Sequence, residues 1–372
     1  MKRVVLLTNH FLESRNKAGF HWLADAFWTA GWEVLFFTES ISWISWLRRD
    51  SRFAYPLFRQ AGKLRQVQKR LWSYVWLTPF HPVNWRNRLL NRISQPLLSA
   101  YGQFSFQEAE AMISGADLFI FDSDHGLFLF DRIKQLNPRA RFVYRVSDDL
   151  PTMKHHPGVL KHEQSIAKSF DLVSAPSMYI QRRLSAHAHV ELHRHALQRE
   201  LFDRPCANPY RTNRPNVLFV GRNRLDYDFV NRAVALFPDW SFHLFGGVLD
   251  RPRGSNLIVH GERPFAELIP YLRYADIGLQ SLEYWPGAEC FTDSLKMQQY
   301  TYCRLPIVAP TFLRTAQPHV FYYEPGDDES IRGALLAASR FDRAKVPHEQ
   351  VGSWSDLIVK LAGHDMEKAH AA

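Results

Sequence analysis

Lys296 and Gln299 stand three residues apart in DSLKMQQY, Asp293 to Tyr300, just ahead of the apolar run LPIVAP from Leu305 to Pro310. A helical reading puts Lys296, Gln299 and Tyr300 on one face, lets Asp293 or Thr292 cap the start, and closes the helix before Pro306. A cation and an amide one turn apart near a helix N-terminus suit a nucleotide diphosphate and its ribose. The same two residues on a helix with no ligand would be an ordinary solvated face, so the rest of the chain has to supply the context.

Acids supply part of it. Asp148 and Asp149 follow the apolar stretch FVYRV, and Asp122 and Asp124 stand in FDSDHG after another. A carboxylate at a strand end can take the proton of a hydroxyl whose oxygen attacks an electrophilic carbon. Two adjacent acids on a loop point different ways, and their structural alternative is a cap or turn ahead of Pro151. The stretch HAHVELHRH alternates His187, His189, His193 and His195 along one side. Successive same-face positions on a strand separate by roughly 7 Å, too far to converge on one ion, so no metal is expected.

The elements that must position these groups alternate. Val4 to Thr8, Glu33 to Thr38, Asp117 to Asp122, Arg141 to Val146 and Asp171 to Ala175 read as buried strands, with helices at Gly19 to Gly31 and Gly126 to Leu136. Around Asp203 to Pro215 prolines, asparagines and arginines take over, which predicts a linker. A second alternating unit follows: strands at Val217 to Val220, Ser241 to Phe245, Leu257 to His260 and Ile277 to Leu279, helices at Phe229 to Phe237 and Phe265 to Tyr274. The expected division is 1–205 and 216–349, with the amphipathic segment 350–372 packing back on the first domain. This is an α/β pattern of two doubly wound parallel sheets, whose ligands bind beyond the carboxyl ends of the strands, in a cleft between them.

At 372 residues the chain is long enough for two such domains. No apolar run approaches the roughly 20 residues of a spanning helix, and MKRVVLLTNHF is too short in its apolar part for a signal peptide. Cys206, Cys290 and Cys303 form no CxxC pair, which favours a reducing cytoplasm. The net charge of +9 concentrates between Ile41 and Gln107, where eleven Lys and Arg face one acid and five of the eleven tryptophans stand. In Lys63 to Trp76, Leu64, Val67, Leu71 and Val75 follow helical spacing while Lys63, Lys69 and Arg70 turn elsewhere. That predicts a basic amphipathic helix flanked by Trp72 and Trp76, with Trp43 and Trp46 nearby, on an anionic membrane surface. No RNA-recognition, helix-turn-helix or zinc-finger signature appears, so nucleic acid is not an expected partner.

The succession VLFVGR, FHLFGG, HGERP, ADIGLQS and DSLKMQQYTYCRLPIVAP is similar to the donor domain of GT-B glycosyltransferases, and GFHWLADAFWTAGWEVLFFT and SFDLVSAPSMYIQRRL resemble the first domain of that fold. The likeness covers nearly the whole chain, and the order of the motifs is more specific than any one of them. The basic aromatic window, RVSDD and LKMQQ resemble more narrowly the membrane-associated glucuronosyltransferases of xanthan-type exopolysaccharide assembly. The resemblance implies a GT-B fold of two Rossmann-like domains and inverting transfer of glucuronate from UDP-glucuronate to a polyprenyl-diphosphate-linked oligosaccharide. It places such an enzyme peripherally on the cytoplasmic face of the inner membrane, with the UDP-sugar as substrate and no cofactor.

Residue by residue, the resemblance makes Lys296 a ligand of the donor diphosphate, Gln299 a ribose contact where many relatives use Glu, and Glu262 a neighbour of the uracil edge. Gly221 and Arg222 would lie where a phosphate approaches, and Asp148 would be the base, with Asp149 as the alternative. Arg222, Arg224 and Arg263 are the cations available for a glucuronate carboxylate. Two rival classes remain: a nicotinamide oxidoreductase, which would need a GxGxxG after the first strand that TNHFLESRNKAG lacks, and a non-catalytic anionic-lipid module. The latter leaves the second domain without a task.

Overall fold

The computed structural model describes residues 1–14, 17–47, 57–221, 224–247 and 254–363. The chain divides into two compact units, Met1–His193 with the segment from Trp354 onward, and Arg194–Ser353.

The first unit is built on β1 (Arg3–Thr8), β2 (Glu33–Ser42), β3 (Leu64–Gln68), β4 (Leu71–Thr78), β5 (Leu118–Phe121), β6 (Arg141–Arg145), β7 (Leu172–Ala175) and β8 (Val190–Leu192). They form one sheet in the order β3-β4-β2-β1-β5-β6-β7-β8, parallel except that β3 runs antiparallel to β4. A parallel sheet covered on both faces demands strands apolar on both sides, and Val4 to Leu7 are accordingly all buried. The reversal of strand order on either side of β1 leaves its carboxyl end, at Thr8, beside those of β2 and β5. The helix Trp354–Ala362 completes this unit: Trp354 lies beside Gly19 at the start of the helix Gly19–Thr29, and Arg141 Nε donates to the Leu361 carbonyl at 3.1 Å.

Two expectations are corrected here. The stretch from Lys63 to Trp76 is no helix but the β3–β4 hairpin, turned at Lys69 and Arg70 with Arg70 in the left-handed region at φ 67°. The spacing of Leu64, Val67, Leu71 and Val75 fits a helix, but Tyr74 and Trp76 alternate with a period of two and pack on Phe37 inside the core. Trp76 is buried and donates its indole N–H to Ser105 O at 2.9 Å, and Trp72 is partly buried with its N–H on Glu33. Neither is available to a membrane, whereas Lys63 and Lys69 remain exposed and Arg70 half-buried against Trp28. The second correction concerns the boundary: it falls at His193/Arg194, ahead of the expected linker. Leu197 bridges to Ser353, Phe202 enters the second unit's core, and Tyr210 Oη donates to Tyr271 O at 2.9 Å. Aromatic anchors tie down a segment whose composition reads as loose.

The second unit carries β9 (Asn216–Val220), β10 (Ser241–Phe245), β11 (Leu257–Gly261), β12 (Ile277–Leu279), β13 (Ile307–Pro310) and β14 (Val320–Tyr323) in the order β11-β10-β9-β12-β13-β14, all parallel. Tyr300 ties the helix Leu295–Tyr302 to this sheet. Tyr300 is fully buried, accepts from Val220 N at 3.1 Å, and offers its hydroxyl proton to the carbonyls of Leu279 and Leu218 at 3.3 and 3.4 Å. Its ring lies over Gly278, where an added Cβ would come within 2.6 Å. Gly278→Ala should therefore overpack this contact and destabilise the protein by about 1–3 kcal/mol, read as a lower urea midpoint with an unchanged m-value. An unchanged midpoint would show that the helix does not depend on that approach.

Candidate active site

In the second unit the helix Leu295–Tyr302 starts at Ser294, whose carbonyl accepts from Met297 N at 3.0 Å and whose side chain makes no cap. Asp293 is not the cap expected from its position. Its carboxylate is buried and accepts from Arg194 Nε at 2.8 Å and Gln317 Nε2 at 3.1 Å, so it is spent on tying the chain's entry into this unit to the helix start. Thr292 Oγ1 and Ser294 Oγ are buried without a hydrogen-bond partner. The helix N-terminus thus combines unpaired backbone N–H groups with two hydroxyls that lack acceptors.

Lys296 is enclosed on most sides, and burial alone draws its ammonium down to about 8 from the ordinary 10.5. It lies 4.6 Å from the centroid of Phe219 on β9, and a Cβ on Gly221 would come within 3.3 Å of its Nζ. It makes no hydrogen bond or ion pair among the described residues. Gln299 is buried one turn on, and its amide likewise has no partner among the described residues. The structure therefore brings Lys296 and Gly221 together, with Gln299 on the adjoining turn of the same helix.

Other expected donor-site residues fall differently. Glu262 is exposed, directly after Gly261, which ends β11 in the left-handed region at φ 68°. Arg222 lies outside the described residues. Arg224 packs its guanidinium 4.2 Å over the Trp285 ring, and Arg263 stays near its own helix, 3.9 Å from Glu267. No local pattern of residues signals the stack at the ends of β10 and β11. There the rings of Phe245 and His260 lie parallel at 4.1 Å, and His260 shares a hydrogen bond of 3.0 Å with His243.

In the first unit, polar groups gather at the carboxyl ends of β1, β2, β5 and β6. Asp149 is buried, and its Oδ1 accepts from Arg183 Nε at 2.6 Å while Arg183 also grips Glu163 at 2.7 Å. Asp148 has no such partner. Its backbone N–H donates to Ser123 Oγ at 2.9 Å, and the residue is exposed. Loss of hydration there raises its carboxyl above the usual range, with nearby Asp124 adding to the shift and His10 opposing it. Asp122 is buried, takes Thr8 Oγ1 at 2.7 Å and is pushed up to about 6 by burial. The geometry separates the adjacent acids: Asp149 is structural, and Asp148 is the accessible one.

Residues 6–176 match the family model described as the N-terminal domain of the glucuronosyltransferase GumK. The chain is 25% identical over 360 residues to the UDP-glucuronate:glycolipid 2-beta-glucuronosyltransferase of Xanthomonas campestris pv. campestris, covering 96% of this chain and 88% of that protein. The chain is a glycosyltransferase of GT-B fold whose residues 6–176 are similar to the GumK N-terminal domain. Its fold is that of a glycosyltransferase from Rickettsia africae ESF-5, with a TM-score of 0.58 and 11% identity over 99% of this chain and 97% of that one. It is equally that of a UDP-forming trehalose-phosphate synthase from Burkholderia xenovorans, with a TM-score of 0.58 and 11% identity over 99% and 98% of the two chains.

The glycosyltransferase keeps Lys296 charged at neutral pH against the pull of burial, so the folded state carries a cost that the unfolded chain does not. A depressed lysine pKa makes stability rise with pH between about 8 and the unfolded value of 10.5. Lys296→Met should accordingly raise stability at pH 7 by about 1–3 kcal/mol, and the gain should shrink towards pH 10. Urea titrations of both proteins at the two pH values check this; a variant no more stable at pH 7 would contradict it.

Proposed function

We propose that this glycosyltransferase moves glucuronate from UDP-glucuronate to a lipid-linked oligosaccharide, with inversion, in exopolysaccharide synthesis. The observation that carries the reading is Lys296, a desolvated ammonium with no anionic partner among the described residues, at a helix start beside Gly221. An anion completes such a site, and a diphosphate has the charge and oxygens to do so. The similarity to a UDP-glucuronate:glycolipid enzyme over 96% of the chain supports both substrates.

In this reading Lys296 and the N–H groups of the helix start hold the diphosphate and take up charge as UDP leaves, without a metal. Gln299 contacts the ribose, and Glu262 with the Gly261 turn borders the uracil. Arg224, stacked on Trp285 and engaged in no ion pair among the described residues, is the cation for the glucuronate carboxylate. Asp148 removes the proton from the acceptor hydroxyl as that oxygen attacks the anomeric carbon.

The acceptor's lipid calls for a membrane surface, and the first unit has the features for an anionic one. Among the described residues no helix is long and apolar enough to cross a bilayer. The helix Arg88–Tyr101 instead points Leu89, Ile93 and Leu97 outward, 65%, 66% and 47% exposed, beside exposed Arg88 and Arg92, and buries Ser94, Leu98 and Tyr101. Trp43, Trp46 and Leu47 are also more than half exposed. Apolar side chains turned to solvent among cations fit the interface of a membrane whose cytoplasmic leaflet is anionic.

Transfer assays with a panel of radiolabelled UDP-sugars and lipid extract test the reaction. UDP-glucuronate should be the productive donor, and Asp148→Asn should lower kcat by about 10²–10⁴-fold while UDP affinity stays within about twofold. Folded protein that transfers from no UDP-sugar, or an Asp148→Asn variant with full kcat, would overturn the assignment. For the membrane, Leu89→Gln combined with Ile93→Gln should weaken binding to phosphatidylserine vesicles by about tenfold or more, whereas Trp76, being buried, contributes nothing. Unchanged sedimentation with vesicles would exclude this helix as the contact.

A further inference from the structure

A second cluster in the first unit has no part in the transfer just described. Asp124 and His125 follow β5, and His155 stands on the loop ahead of the helix Pro157–Ile166. One potential ligand atom from each lies within 4.8 Å of the others. His125 Nδ1 is 2.9 Å and His155 Nε2 4.0 Å from Asp124 Oδ1, and the two imidazole rings meet edge to face at 4.6 Å. We propose that Asp124, His125 and His155 bind a divalent transition-metal ion of the Zn²⁺ class.

Three observations favour an ion over other occupants. His155 Nε2 is cut off from solvent and has no hydrogen-bond partner, although it is directed towards a carboxylate. A sugar hydroxyl cannot reach a closed position of this kind without dragging its ring in, whereas a single ion fits. The ligand set of two imidazoles and one carboxylate is that of Zn²⁺ or its first-row neighbours; Mg²⁺ and Ca²⁺ prefer oxygen. Finally, the carboxylate is already oriented: the His125 backbone N–H donates to Asp124 Oδ1 at 2.6 Å, and Asn9 Nδ2 donates to Oδ2. Such outer contacts hold a metal ligand in place before the ion arrives.

The geometry asks for little movement. Ligand atoms about 2.1 Å from one ion lie roughly 3–4 Å from one another, so side-chain shifts of under about an ångström convert the cluster into a three-ligand site. The ion would join the loop after β5 to the stretch after β6 that carries both Asp148 and His155. Its ligands all belong to the first unit and Lys296 to the second, so it uses none of the proposed donor-site residues.

The test uses full-length, tag-free protein with Co²⁺ as a spectroscopic probe. About one equivalent should bind, give ligand-field absorption, and show two imidazole nitrogens in the cobalt X-ray absorption spectrum. His155→Ala and Asp124→Asn should each weaken binding by about tenfold or more, while His189→Ala, an exposed histidine outside the cluster, leaves it unchanged. Absence of stoichiometric binding by the wild type, a spectrum with fewer than two imidazoles, or equal binding by His155→Ala would overturn the proposal. Because no readout is enzymatic, failure here leaves the glucuronosyl-transfer reading untouched, and failure of that reading leaves this one standing.

Discussion

A largely buried ammonium group with no counter-charge among the described residues is the constraint on which the account of the second unit depends. Lys296 sits above Phe219 beside Gly221, and burial alone is the cause of its depressed pKa. A protein tolerates that cost when the surrounding elements leave the side chain no other place and when a ligand repays it. Tyr300 supplies the first condition. Its hydroxyl reaches the backbones of β9 and β12, and its ring fills the space that Gly278 leaves open, so the face carrying Lys296 has one orientation. Asp293 adds a second tie at the helix start through Arg194 and Gln317.

The first unit distributes its charges by the opposite rule. There several buried acids are held by neighbouring side chains: Asp149 and Glu163 by Arg183, Asp122 by Thr8, Glu39 by Tyr101 and Ser40. Asp148 stands apart because its backbone is pinned to Ser123 while the residue is exposed. Loss of hydration raises the Asp148 carboxyl, with His10 opposing the shift and Asp124 adding to it. Among the described residues, Lys296 in the second unit and Asp148 in the first are therefore charged side chains with no ion-pair partner.

Much of this was legible in the residues themselves. The alternation of apolar runs with helical periods outlined both sheets, and DSLKMQQY followed by LPIVAP fixed a helix leading into a buried strand. The illegible parts share a physical cause, namely partners distant in sequence. Nothing local shows which of Asp148 and Asp149 is paired; Arg183, thirty-four residues on, takes Asp149. Leu64, Val67, Leu71 and Val75 satisfy a helical period, but Phe37 and Phe106 around Tyr74 and Trp76 select the strand. Phe219 beneath Lys296, and His155 facing Asp124, likewise come together only through the fold.

The claim at the centre of this account is that Lys296 is a desolvated ammonium awaiting the donor diphosphate. Nuclear magnetic resonance titration of the Lys296 side chain, isotopically labelled and assigned by comparison with Lys296→Met, measures its pKa with and without UDP. The account predicts a value near 8 in the free protein that climbs towards the ordinary lysine range when UDP binds. An ordinary lysine pKa in the free protein, unmoved by saturating UDP, would contradict it.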